Sequence, residues 1–208
     1  MLVSSNIMLK CTVQANDLRE MNRCDASEYD KLWSKVVMSE QLATHPASLP
    51  LKDLEAQCEI KRTRAGGPGG QHRNKVETAI VVTHVPTGVV ARASERRSQH
   101  ENRTIAIERL RVNLAIKVRT ARPFESPSEL WLSRCIGNKI NVSRQHFDFA
   151  CLLAESLDCT EASDYQVSDA ARKLGCSTSQ LIGLLRKEEA AFTYVNQKRR
   201  DAGLSALK

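Results

Sequence analysis

The sequence predicts an α+β fold: a small mixed sheet carrying a glycine-rich loop and packed on a long helix, followed by a mainly α-helical C-terminal region. Three observations predict it. Two β-branched, apolar runs, residues 77–85 and 89–93, flank the turn-forming Pro86-Thr87-Gly88. Behind a helix-start signal at Ser98, Ile107, Leu110, Leu114 and Val118 trace an amphipathic helix of about five turns. Beyond the proline-rich stretch from Arg122-Pro123 through Ser126-Pro127, the pattern is mainly helical.

Taken in order, residues 1–24 show no clear periodicity. Residues 27–43 read as a helix, with Leu32, Trp33, Val36 and Val37 on one face and Asp25 and Glu28 spaced as a capping box. His45-Pro46 through Pro50 ends that helix. Residues 55–64 alternate loosely and close in the basic run Lys61-Arg62-Thr63-Arg64, which reads as a strand entering a loop. Residues 66–70 hold four glycines and a proline, a composition that fits neither helix nor strand and demands unusual backbone angles. The hairpin follows, then the helix opened by Ser98 and Glu101, three apart as in a capping box. In the last third, residues 167–188 have helix-turn-helix spacing: Ala171 for close helix approach, Gly175 for the turn, Leu181 and Leu184 for packing. The expected division is an N-terminal extension with one helix (1–50), an α+β domain (51–122) and a helical region (123–208).

Composition narrows the function. Hydrophobic residues make up 41% of the 208-residue chain, enough for a core, and no stretch approaches the roughly 18 apolar residues of a membrane span. The N-terminus lacks a leader pattern, and Asp17 and Glu20 oppose a transit peptide, so a cytoplasmic protein is expected. Seven cysteines without C-x-x-C spacing read as reduced thiols rather than a disulfide frame or zinc site. The formal net charge is +7, but residues 58–122 alone carry 14 Lys/Arg against 5 Glu, a net of +9, leaving −2 for the rest. That concentration points to a polyanionic partner. The same segment holds no Phe, Tyr or Trp, so contacts to phosphate and sugar are expected rather than base stacking.

The glycine loop fits no familiar nucleotide or metal motif. No Gly-Lys-Ser/Thr follows at P-loop spacing, no G-x-G-x-x-G precedes a helix, and no H-E-x-x-H is present. What remains is backbone chemistry. Consecutive glycines let main-chain N–H groups approach a ligand closely and stabilise an oxyanion. A glutamine beside them adds one acceptor and two donors able to orient water.

Residues 66–71, Gly-Gly-Pro-Gly-Gly-Gln, followed by His72-Arg73-Asn74-Lys75-Val76-Glu77-Thr78, closely resemble the signature of class I peptide-chain release factors. Arg97-Ser98-Gln99-His100-Glu101-Asn102-Arg103 resembles a second stretch of the same catalytic domain, and the resemblance covers about residues 55–120. It implies a ribosome-dependent peptidyl-tRNA hydrolase. Water attacks the ester carbon joining peptide to terminal ribose; the Gln71 backbone N–H stabilises the transition state or leaving oxygen; the Gln71 side chain favours water over larger nucleophiles; Gly69 and Gly70 permit the backbone shape. It also makes Gln71 a candidate for N5-methylation by a glutamine methyltransferase. The expected partners are large-subunit RNA at the peptidyl transferase centre and peptidyl-tRNA, with Arg62, Arg64, Arg73, Lys75, Arg97, Gln99 and Arg103 as candidate RNA contacts. The expectation is a monomer without metal or other cofactor.

The chain departs from full-length release factors. Fewer than 70 residues precede the motif, too few for a codon-reading domain, and they carry neither Pro-x-Thr nor Ser-Pro-Phe. Codon-independent rescue of stalled ribosomes is therefore the leading expectation. Small rescue hydrolases resembling this core end in a Lys/Arg-rich tail, whereas this chain offers only Lys198-Arg199-Arg200 as a basic cluster. Two other classes stay open: a non-catalytic ribosome- or RNA-binding factor, and a helix-turn-helix regulator binding nucleic acid through residues 167–188.

Overall fold

The computed structural model describes residues 45–64, 77–120, 124 and 126–208. The helix expected over 27–43 lies outside them. A single 3₁₀ turn, Pro46–Ser48, precedes a short helix α1 (Leu51–Ala56) and strand β1 (Cys58–Thr63). Strands β2 (Ala79–His84) and β3 (Val89–Ala93) follow, then the long helix α2 (Gln99–Lys117). After it come α3 (Glu129–Arg134), a minimal hairpin β4 (Cys135–Ile136) and β5 (Lys139–Ile140), and four helices: α4 (Phe149–Glu161), α5 (Val167–Lys173), α6 (Thr178–Arg186) and α7 (Glu189–Asp201). The α+β class holds.

The sheet has the order β1-β2-β3 and is antiparallel throughout, where a mixed sheet was expected. A parallel pair needs a long crossover connection. Here β2 turns straight into β3 through residues 85–88, with Gly88 at φ +67. The turn is fastened by His84, fully buried, whose Nδ1 meets Thr87 Oγ1 at 2.7 Å and whose Nε2 meets Gln57 Oε1 at 2.9 Å. The strand expected from residue 55 begins at Cys58. Pro50 occupies the cap of α1 and buried Leu54 anchors it, so residues 51–56 wind as a helix instead.

Helix α2 is the spine. Ser98 caps it, accepting from Glu101 N, as its sequence spacing predicts. It packs against β2 and β3, and also against α4 and the 3₁₀ turn. Its buried residues accordingly cover more than one stripe and include Ala106, Leu110, Leu114 and Ala115. Arg111, 4% exposed, donates to Leu49 O and lies 4.3 Å from the Phe147 ring centre, tying the 3₁₀ segment to the helix. His45 is held between two main-chain groups: Nδ1 accepts from Ala47 N (3.0 Å) and Nε2 donates to Val118 O (3.0 Å).

One core runs from the sheet through α2 to α4, α5 and α6. Trp131 of α3 is fully buried and its indole N–H donates to Leu174 O at 2.7 Å, fixing α3 to the end of α5. Over the segment with helix-turn-helix spacing, two helices are joined by a tight turn: Leu174 is the C-cap of α5, Gly175 supplies φ +66, and Ser177 caps α6 through Gln180 N. Ala171, Leu181 and Leu184 are buried. Buried Cys159 and Cys176 act as small apolar fillers, their thiols pushed up by burial to about 11 and about 12. Among the described residues, no helix is long and apolar enough to cross a membrane.

Candidate functional site

The glycine loop is the connection between β1 and β2. Thr63 paired with Ala79 is the last rung of the ladder, so fifteen residues, 64–78, leave the sheet and return, with Gln71 at the midpoint in sequence. Gly69, Gly70, Gln71, Arg73 and Lys75 lie outside the described residues. What the structure defines is the stem on which they are carried.

Beyond the last rung, main-chain carbonyls have no strand partner, and a carbonyl left without a hydrogen bond is costly where water is excluded. Side chains meet three of them. Arg92 of β3 donates to Arg64 O at 3.2 Å. Gln99, in the first turn of α2, donates from Nε2 to Glu77 O at 2.8 Å. Asn102, fully buried one turn further, donates from Nδ2 to Thr78 O at 2.7 Å. Its amide is used on every side: Nδ2 also donates to Arg96 O at 2.8 Å, and Oδ1 accepts from Arg96 N at 2.9 Å. Arg64 and Glu77 face each other across the stem as an exposed ion pair at 3.5 Å.

The same end of the sheet is basic. Arg62, Arg64, Arg92, Arg96 and Arg97 are exposed there. Two acids among them are already engaged: Glu77 with Arg64, and Glu95 with Arg109 at 2.7 Å. The Arg109 hydrogen bond holds the Glu95 carboxyl below the usual carboxylate range, helped by the main-chain N–H of Ser94. Arg109 also donates to Arg92 O. Of the expected RNA contacts, Arg62, Arg64 and Arg97 are thus brought to one exposed end. Gln99 is half-buried and hydrogen-bonded within the chain, and Arg103 is paired with Glu55 of α1 at 3.2 Å.

Sequence reasoning missed Asn102 as a site residue. A signal existed: asparagine inside a helix is unfavourable because its amide competes for main-chain groups. Its presence one turn into α2 marks a hydrogen bond worth that penalty. The guanidinium of Arg92 left no such signal.

The RF-1 domain family matches residues 50–132. Peptide chain release factor PrfB1, chloroplastic, of Arabidopsis thaliana is 49% identical over 71 residues, covering 34% of this chain and 16% of that protein. Peptide chain release factor 1 of Acidiphilium cryptum (strain JF-5) is 49% identical over 67 residues, 32% of this chain and 19% of its own length. Peptide chain release factor 1 of Caldicellulosiruptor saccharolyticus is 52% identical over 60 residues, 29% of this chain and 17% of its own. The chain therefore matches less than a fifth of the length of these relatives. The matched residues 50–132 take in both motifs, residues 66–78 and 97–103.

Proposed function

We propose, from the premise that residues 50–132 form an RF-1 domain, that the protein hydrolyses the ester of peptidyl-tRNA on stalled ribosomes without reading a codon. The observation that carries the proposal is the match itself, together with an intact Gly69-Gly70-Gln71 at the midpoint of the β1–β2 connection. The loop enters the peptidyl transferase centre. Water attacks the ester carbonyl carbon, the bond to the ribose oxygen breaks, and that oxygen leaves with a proton. The Gln71 main-chain N–H stabilises negative charge on the leaving or tetrahedral oxygen. Its side-chain amide selects water, and Gly69 and Gly70 allow the approach.

Arg62, Arg64, Arg73, Lys75, Arg97 and Arg103 position the domain on ribosomal RNA through phosphate contacts, which set orientation and carry no sequence reading. The protein acts as a monomer on cytoplasmic ribosomes, and Gln71 is the substrate of a glutamine methyltransferase. The helix-turn-helix regulator reading has less support. Of the two basic residues at the end of α6, Arg186 lies over the Phe192 ring at 5.4 Å and Lys187, at the C-cap, donates to Val142 O.

The test is peptide release from ribosomes stalled on mRNA lacking a stop codon, against a matched complex with a stop codon in the A site. Release on both complexes, abolished by Gly70→Ala, supports the proposal. Release confined to the stop-codon complex overturns codon independence. Ribosome binding without release on either complex favours a non-catalytic factor.

A further inference from the structure

The first turn of α2 does more than support the sheet. Its side chains Gln99 and Asn102 grip consecutive carbonyls, Glu77 O and Thr78 O, where the glycine loop rejoins β2. Asn102 simultaneously holds both main-chain groups of Arg96, in the β3–α2 connection. One buried amide therefore locks three segments together: the loop's return stem, the approach to α2, and α2 itself. An amide fixes direction because its donors and acceptor are rigid and coplanar. With all its groups used, it has one orientation that leaves nothing unpaired. Arg92 provides the matching hold on Arg64 O, where the loop departs.

We infer that Gln99 and Asn102 are positioning residues for peptide release, setting the direction in which residues 64–78 leave and re-enter the sheet. This rests on the reading of Gly69-Gly70-Gln71 as the reaction centre. It gives Gln99 a role different from ribosomal RNA contact: one donor of its amide is used inside the chain. Gln71 is seven residues in sequence from either end of the connection, and misplacement of a reaction centre by about 1 Å can lower a rate on the order of a hundredfold.

The experiment separates positioning from RNA contact by splitting rate from affinity. Single-turnover peptide release is titrated with the full chain, for wild type, Gln99→Ala, Gln99→Lys and Asn102→Asp. Amide hydrogen exchange of the free proteins is followed at residues 77–80 and across α4. Gln99→Ala and Asn102→Asp are expected to lower the saturating rate about 10- to 100-fold, with half-saturation unchanged. Exchange is expected to rise at the stem and stay unchanged in α4. Gln99→Lys, which restores a donor for Glu77 O, should recover much of the rate. Because Gln99 is only half-buried, its variants carry the test if Asn102→Asp does not fold. A raised half-saturation with unchanged saturating rate makes Gln99 an RNA contact and overturns the inference. So does a loosened stem with undiminished rate. Wild-type protein that releases nothing overturns the reaction-centre reading and the positioning role with it, while unaltered stem exchange in Gln99→Ala shows separately that there is no clamp.

Discussion

At the loop end of the sheet, three carbonyls beyond the last rung are met one by one by Arg92, Gln99 and Asn102. Around α4, ten of thirteen helix residues are buried, and Phe149, Leu152, Leu153 and Leu157 dominate the packing. The two regions solve different problems. A hydrogen bond contributes only about 0.5–1.5 kcal/mol net but has direction. A fully buried apolar side chain contributes about 1.5–3 kcal/mol and has almost none. The loop end is therefore built to aim and the helical end to hold. Activity and stability should be separable by mutation, and the comparison can be broken at several points.

The largest stability effect is expected at Trp131. Trp131→Ala empties a fully buried site and leaves Leu174 O without its indole donor, so a loss of about 3–5 kcal/mol is expected by chemical denaturation. Next comes a contrast of two ion pairs. Arg119 and Asp158, 15% and 13% exposed, meet at 2.7 Å, and Thr120 also donates to Asp158. Arg119→Ala strands a buried carboxylate and should cost about 3 kcal/mol. At the loop end, Arg109 and Glu95 meet at the same 2.7 Å but are 44% and 50% exposed, so Arg109→Ala should cost less than about 1 kcal/mol. Equal costs would mean that burial does not distinguish the two ends.

A smaller effect is expected from pH. Burial pushes the His45 imidazole below its ordinary value of 6.5, and its Nδ1 already accepts the Ala47 N–H, leaving no place for a second proton. The folded state thus binds fewer protons than the unfolded one. The stability this provides is present above the ordinary histidine value and is lost as pH falls from there through the lowered folded value. The melting temperature should fall on acidification below about 6.5, and less steeply in His45→Gln. An unchanged slope in that variant would assign the acid sensitivity elsewhere, with buried His84, shifted in the same direction, as the next candidate.

Much of this fold was legible because its signals are local. Pro86-Thr87-Gly88 marked the hairpin, Ser98 the start of α2, and Gly175 with Leu181 and Leu184 the helix-turn-helix; each depends on neighbours a few residues away. The β4–β5 hairpin was missed although it had a local signal. Gly137 and Asn138, at φ +56 and +61, form the doubly left-handed turn that favours such a dipeptide, but only two residue pairs flank it. The last two residues of helix α1, Glu55 and Ala56, were read as the start of β1 because six residues are too few to establish a helical period. The Asn102 clamp joins residues 24 apart, a distance at which periodicity says nothing. Of the candidate site, the glycine loop was legible as a motif and the stem that carries it was not.

The most direct test of a loop that reacts and a core that holds is a paired measurement on Gln71→Pro, which removes the main-chain N–H: single-turnover peptide release from a non-stop ribosome complex, and the thermal melt of the same preparation. The account predicts release lowered by about 10²–10³-fold with the melting temperature unchanged. Release at the wild-type rate would contradict it, and a loss of release accompanied by unfolding would contradict the separation of the two ends.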